Sequence, residues 1–435
     1  MGCRRAWIAV FLFSMILINF VDRMNLSVAA RPIASEFGLS PVQMGYLFSC
    51  FQWGYVICVL PIGVLADRIG TKRLAGWGLA LWSAATMVTG ASVGFGSMLT
   101  ARVVMGAGEA TSYPALGRIT RDWFPQRERG VVTMLCSGGG SFLGPAVGAL
   151  ATGVLVTLFG WRVGFVLLGA AGFVWFAAWM LWFDQPERAR WLSAAERDRI
   201  LAERNGTELA SPEESTARPS SFRYMLTQRT VWGLLITQCC IGYTLFLFLT
   251  WMPSFLQSTQ QISIMTTGIF TAIPYVCALG LSVLVARGSD WVLARKPGAV
   301  RAGGRRNFVV AMMMVALVVV SAPFISTTWQ LLVVLTLVVT GATGAASLNL
   351  TLNTDLMHNP RDVGMTWSIA VFGGNGFGIL SPIITGYIVA ATGGFTGAFI
   401  VAACLLVFGA TVSLVMTRHP VEGEHAVAGL AAQSA

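Results

Sequence analysis

Gly63-Val64-Leu65-Ala66-Asp67-Arg68-Ile69-Gly70-Thr71-Lys72-Arg73 is a short charged stretch set between two long apolar runs. Gly63 permits close helix packing, Asp67 can cap or ion-pair at a helix end, and Gly70 lets the chain turn sharply. Arg68, Lys72 and Arg73 put three cations into one short connection. Cytoplasmic loops of membrane proteins collect Lys and Arg in this way. The stretch reads as a tight cytoplasmic turn between two membrane helices.

The rest of the chain agrees with that reading. Of 435 residues, 55% are hydrophobic and only 11% charged, which an ordinary soluble domain does not show. Crossing roughly 30 Å of hydrocarbon takes about 20 mostly apolar residues in helix, and about twelve such runs can be placed. They are Trp7 to Ala29, Val42 to Ala66, Arg73 to Val93, Ser97 to Arg118, Gly130 to Leu158, Trp161 to Phe183, Val231 to Gln257, Ser263 to Ala286, Asn307 to Pro323, Trp329 to Leu352, Gly364 to Ala391 and Phe395 to Met416. The first follows Arg4-Arg5 like a signal peptide, but it is long, contains Asp22-Arg23 and lacks a small-residue cleavage site, so it is expected to be retained.

Further basic clusters follow the fourth run (Arg118, Arg121, Arg127, Arg129) and the eighth (Arg287, Arg295, Lys296, Arg301, Arg305, Arg306), whereas the opposite loops offer little beyond Arg31 and Arg162. The positive-inside rule then puts both termini in the cytoplasm. The net charge of +10 reflects this topology, and no nucleic-acid partner is expected. The eight cysteines are scattered without a CxxC and read as small core residues. His358, His419 and His425 fall at helix ends or in the tail, so neither a metal nor a cofactor is expected.

Asp184 to Arg229 is the one long polar stretch. It divides the chain into a six-helix bundle over residues 1–183, a cytoplasmic central loop over 184–229, a second six-helix bundle over 230–417 and a cytoplasmic tail over 418–435. Ser193-Ala194-Ala195-Glu196 has the form of a capping box, and a short helix is expected to run from it through Arg204. The halves echo each other. Phe124-Pro125-Gln126-Arg127-Glu128-Arg129-Gly130 precedes the fifth helix as Asn359-Pro360-Arg361-Asp362-Val363-Gly364 precedes the eleventh, and Asp67 after the second helix has a counterpart in Asp290 after the eighth. Weak internal symmetry of this kind marks an all-α polytopic transporter built from two pseudo-symmetric halves.

Four charges sit inside apolar runs: Asp22 and Arg23 in the first, Arg102 and Glu109 in the fourth. A charge at bilayer depth costs several kcal/mol and usually faces an internal cavity on an ion or substrate path. Arg102 and Glu109, seven apart, share one helix face about 10 Å apart along the axis. Asp22 and Arg23 diverge by about 100°, so one faces a pocket while the other pairs with a neighbouring helix. The competing reading is a buried salt-bridge network that only fixes helix packing.

The loop at Gly63 to Arg73, the twelve runs and the central loop resemble the major facilitator superfamily over essentially the whole chain. Phe20-Val21-Asp22-Arg23-Met24-Asn25, Arg102 to Glu109, Phe248-Leu249-Thr250-Trp251-Met252-Pro253 and Gly374-Asn375-Gly376-Phe377-Gly378 are similar, more closely, to its anion:cation symporter family. That resemblance implies proton symport of a small organic carboxylate by alternating access, with Asp22 and Glu109 as the protonatable groups and Arg23 and Arg102 meeting the substrate anion. Burial favours a neutral acid and a nearby arginine a charged one, so an anion that captures the arginine lets the acid take a proton. It also makes Tyr55 a pocket position and Gly63, Asp67, Arg68, Gly70, Arg73 and Asp290 the gating set. In the second half, neutral partners for substrate hydroxyls are expected from Gln238, Tyr243, Thr244, Trp251, Asn349, Asn353, Ser368 and Asn375, each of which can equally serve helix packing.

The glycine-rich Ser137-Gly138-Gly139-Gly140-Ser141 departs from sugar-acid members, which leaves an aromatic carboxylate or dicarboxylate open beside a hexuronate, galactonate or glucarate. Gly140 to Gly148 partly resembles a drug:proton antiporter signature, so efflux is the alternative direction, with a bending role for this stretch; a channel lacks a filter-like loop. No HExxH, GxSxG or P-loop argues for an enzyme. Arginine outnumbers lysine 27 to 2, which points to a high-GC bacterium and its cytoplasmic (inner) membrane, where a monomer suffices.

Overall fold

The computed structural model describes residues 3–189, 191–205, 219–295, 298, 300 and 303–424. Among them there is no strand, only one isolated bridge between Met357 and Val421. In chain order the helices are α1 (Cys3–Val28), α2 (Ala30–Phe37), α3 (Pro41–Ile69), α4 (Thr71–Gly90), α5 (Phe95–Glu109), α6 (Ser112–Trp123), α7 (Gln126–Thr133), α8 (Gly140–Trp182), α9 (Ala194–Asn205), α10 (Phe222–Thr227), α11 (Arg229–Gln260), α12 (Ile264–Ala294), α13 (Arg306–Ala316), α14 (Thr328–Leu356), α15 (Val363–Gly378), α16 (Leu380–Thr392) and α17 (Thr396–Met416).

Among the described residues, 8 helical stretches are long and apolar enough to cross a bilayer. One of them, Gln126–Trp182, holds two of the expected passes. They join at Gly160, in the two-residue gap between those runs, whose φ of +77° is the only break in α8. The expected passes before it are carried by α3, by α4 and by the pair α5 and α6. Large apolar side chains such as Ile57, Val174, Leu181 and Phe324 are exposed.

One expectation about continuity needs correction. Ser97 to Arg118 is not one helix, because the chain turns at Ala110 and Thr111, immediately after Glu109. There the Thr111 hydroxyl donates to the Gly108 carbonyl at 2.9 Å and the Ser112 hydroxyl to the Glu109 carbonyl at 2.6 Å, so side chains take over carbonyls at the break. The glycine-rich stretch of the fifth pass includes a π-helical segment, Met134–Gly139, which leads into α8 with Pro145 inside it.

The cysteine expectation holds for Cys50, Cys136 and Cys240, which are buried, and fails for Cys277 and Cys404, which are exposed. A thiol is apolar enough to sit on an outward, lipid-facing helix surface. The Ser193 half of the capping box is present, its hydroxyl accepting from the Glu196 N–H at 3.2 Å, and α9 runs on to Asn205. Arg5 ties α1 to α9 through Glu203 at 2.8 Å. Burial alone would raise the Glu203 carboxyl, but hydrogen bonds from Arg5 and Arg199 outweigh it and hold the group below its ordinary value.

The chain forms two compact units. The first is Met1–Leu209 with Thr250–Ala272, and the second is Ala210–Leu249 with Ile273–Ala435, so α11 and α12 each contribute to both.

Candidate functional site

The first unit brings the four intramembrane charges together. Helix α1 presents Asp22 and Arg23 and α5 presents Arg102 and Glu109, all of them buried. Arg23 Nε meets Glu109 Oε2 at 2.7 Å. Arg102 instead donates from Nη1 to the main-chain oxygen of Asp22 at 3.2 Å. Neither oxygen of the Asp22 carboxylate has a hydrogen-bond partner among the described residues; Glu109, Arg102 and the indole of Trp82 are its neighbours. Asp22 and Arg23 therefore diverge as the helix geometry requires, and it is Arg23 that takes the ion pair.

Helix α3 supplies the wall. Gly54 lies against the Val103 carbonyl and Gly106 against the Phe51 carbonyl, leaving no room for a side chain at either glycine. That close crossing sets the Phe51 ring 5.1 Å from the Arg23 guanidinium and 5.4 Å from that of Arg102. Tyr55, one turn on, lies 5.5 Å from Arg23, and Phe20 of α1 lies 5.0 Å from it. Three ring faces thus replace part of the hydration that Arg23 gives up. Phe51, Trp82 and Asn19, whose amide faces Glu109, are members of this cluster that the sequence reading did not name. An aromatic or an amide inside an apolar run gives the same signal as packing, so only the charges stood out.

In the second unit the neutral polar residues divide between bonds to neighbouring helices and bonds within their own helix. Asn349 of α14 donates to Gln238 Oε1 at 2.8 Å and to the Leu234 carbonyl at 3.1 Å, both on α11. Asn353 accepts from the Thr366 hydroxyl of α15 at 2.7 Å. Thr244 donates to the Cys240 carbonyl at 3.5 Å, Ser368 to Gly364 at 2.9 Å and Asn375 to Val371 at 3.0 Å, each within its own helix. Tyr243 is buried with its hydroxyl beside those of Ser381 and Thr385, and no bond among the three reaches hydrogen-bond geometry. Trp251 lies in the first unit, edge-on to Phe48 at 5.0 Å.

Of the expected gating residues, Gly63 offers its carbonyl to Arg118 at 3.2 Å, Gly70 takes a φ of +82°, and Arg68 and Arg73 are exposed. The side chain of Asp67 lies outside the described residues. Asp290 pairs with Arg305 at 2.7 Å, and Arg305 also reaches Asp355 at 2.7 Å and the Ser289 hydroxyl at 3.2 Å. Arg305 thereby holds the ends of α12 and α14 together just ahead of α13, a role hidden in a run of loop arginines. No group of three or more His, Cys, Asp or Glu suited to a metal occurs among the described residues.

A family model, the Major Facilitator Superfamily, matches residues 12–358. The chain belongs to the Major Facilitator Superfamily. The chain is 32% identical over 411 residues to a probable galactarate/D-glucarate transporter of Escherichia coli (strain K12), covering 91% of this chain and 89% of that one. It is 30% identical over 421 residues to a D-galactonate transporter of Escherichia coli O6:H1, covering 94% of each. It is 31% identical over 427 residues to a hexuronate transporter of Bacillus subtilis (strain 168), covering 96% of each. Among solved structures, a bacterial homologue of the human lysosomal transporter Spinster, in an inward-facing and occupied conformation, superposes with a TM-score of 0.77 at 19% identity over 95% of this chain and 97% of that one. That likeness shows the fold alone, a bundle of α-helices.

Proposed function

We propose that this superfamily member imports a sugar acid of the galactarate, galactonate or hexuronate class together with protons, by alternating access, across a bacterial inner membrane with both termini in the cytoplasm. The observation that carries the reading is the unequal partnering of the four buried charges. Glu109 and Arg23 neutralise each other at 2.7 Å, while Asp22 makes no hydrogen bond and the hydrogen bonds of Arg102 go to a main-chain oxygen and a sulfur. A cation and a carboxylate left unpaired in a buried site are expensive, and each becomes cheaper if an anion joins the cation and a proton joins the acid. Arg102 is then the group that engages the substrate carboxylate, and Asp22 the group that takes the proton. Arg23 exchanges Glu109 for substrate in the same way, which makes Glu109 the second proton site.

The relatives support a polyhydroxylated acid over an aromatic one, and the amides of Gln238, Asn349 and Asn353 are assigned to substrate hydroxyls in the conformations where their interhelix bonds open. The test is purified protein in liposomes with a trapped pH dye and galactarate, galactonate and glucuronate outside. Internal acidification on addition of one of them, saturable and abolished by collapsing the proton gradient, is the expected result. Labelled sugar-acid uptake without acidification would overturn proton symport. Absence of uptake for all three, with folded protein, would overturn the substrate class.

A further inference from the structure

The second unit carries a cavity of about 320 Å³ between the start of α11 and the end of α17. Its lining includes Arg229, Arg418 and His419 and contains no carboxylate. The two carboxylates of the adjoining segment are engaged elsewhere, Glu422 with His358 at 2.8 Å and Glu424 with the Ser221 N–H at 2.7 Å. The walls are pinned. Thr230 donates to the His419 carbonyl at 2.8 Å and to the Met416 carbonyl at 3.3 Å, and Arg418 Nε donates to the Leu414 carbonyl at 3.0 Å. Those bonds occupy nearby acceptors, and both arginines, which are exposed, line the cavity. The first unit offers a contrast, because its cavity of about 450 Å³ with Lys72, Arg73 and Arg188 includes Asp184, 3.8 Å from Lys72, and so carries its own counter-charge.

An apolar surface adjoins the cationic cavity. Leu414, Val415 and Trp232 are exposed, as are Phe222 and Leu226 of the short helix α10, and the Trp232 indole N–H turns to the Leu226 carbonyl at 2.7 Å. Tryptophan beside arginine at the end of a membrane helix is the pattern of a headgroup boundary. We propose that this cavity binds the phosphate of an anionic phospholipid, with the lipid chains lying along Val415, Leu414 and Trp232. Arg supplies the planar donors that phosphate oxygens accept, and basic pockets between helices on the cytoplasmic side hold such headgroups. A free anion would use the cavity and leave the adjoining apolar face unused.

The test is thermal unfolding of the full-length protein in neutral detergent, titrated with short-chain phosphatidylglycerol, phosphatidylcholine or inorganic phosphate. Phosphatidylglycerol should raise Tm by several degrees while the other two leave it unchanged, and R229Q/R418Q should weaken that response roughly tenfold or more. The control R121Q, a basic residue on α6, should retain the full response. Equal effects of phosphatidylcholine and phosphatidylglycerol would overturn the proposal, as would a phosphate effect that matches the lipid or a full response in R229Q/R418Q. If the double variant does not fold, R229Q and R418Q singly carry the same test, each expected to weaken the response severalfold.

Discussion

Arg23 and Glu109 stand 86 positions apart and meet at 2.7 Å, with the glutamate side chain 0% exposed. Breaking a buried pair on one side strands a charge and costs roughly 3–5 kcal/mol, whereas removing both partners costs far less. Glu109→Gln should therefore lower the melting temperature in detergent markedly, and R23M/E109L should recover part of that loss. A double-variant cycle checks it. Strict additivity of the two single losses would mean that the pair is not energetically coupled.

Asp22→Asn should behave in the opposite way. The carboxylate makes no hydrogen bond, so an amide of the same shape removes a buried charge without breaking a contact. Stability should stay level or rise while sugar-acid-driven acidification of liposomes is lost and exchange of labelled for unlabelled substrate survives. Normal acidification by the variant would remove Asp22 from the proton path.

The intramembrane charges were legible because a charge in an apolar run has few structural explanations. Their mutual pairing was legible only as far as helix periodicity reaches: it separated Asp22 from Arg23 and could not say which one meets Glu109. The break after Glu109 was harder to see, since Ala110-Thr111-Ser112-Tyr113 contains neither Gly nor Pro. Pro114, within the first turn of α6, is the signal that a helix restarts there. In the second half, Asn349 and Ser368 looked alike as candidates, yet one bridges two helices and the other bonds within its own. Nothing in one sequence separates those cases, because an amide or a hydroxyl inside an apolar run can bond within its own helix or across to a neighbour.

The α3–α5 crossing makes a sharper demand. Gly106→Leu drives a side chain into the Phe51 carbonyl, and backbone on both sides leaves nothing flexible to yield. The helices must separate, which withdraws the Phe51 ring from both Arg23 and Arg102. Overpacking of this sort costs about 1–3 kcal/mol or more. Folded yield by size-exclusion chromatography and substrate uptake should fall together, and wild-type values for both would show that α3 shifts without consequence. Gly96→Ala on the same helix α5, where a side chain meets nothing within 4 Å, is the tolerated comparison.

Asn353 and Thr366 give a measure of how much an interhelix bond contributes. Their contact of 2.7 Å joins two buried side chains on α14 and α15. Bonds of this type in membranes contribute roughly 0.6 kcal/mol and seldom exceed about 1.7. Thr366→Val should therefore cost a modest, measurable loss of stability by denaturant titration. If Asn353 also meets substrate hydroxyls, Asn353→Ala should in addition raise KM for sugar-acid uptake, an effect Thr366→Val should share only weakly. Equal KM values for both variants and wild type would leave the pair purely structural.

The clearest pH dependence outside the membrane belongs to Glu36. Arg162 meets its carboxylate at 2.7 Å, the Trp161 indole donates to it at 2.6 Å, and Arg162 also donates to the Gly90 and Ser92 carbonyls at 3.1 and 2.7 Å. The hydrogen bond from Arg162, then that from Trp161, holds the Glu36 carboxyl below its ordinary value. Because the folded value is the lower one, the contribution to stability is fully present above the ordinary glutamate range and is lost as pH falls through the folded value. Both partners are largely exposed, so the effect is small and weakened by salt. The difference in melting temperature between wild type and Glu36→Gln should be positive at pH 7 and low ionic strength. It should shrink at high salt and vanish at acid pH. A difference that does not change between pH 7 and pH 3 would mean that packing, not charge, ties Glu36 to Arg162.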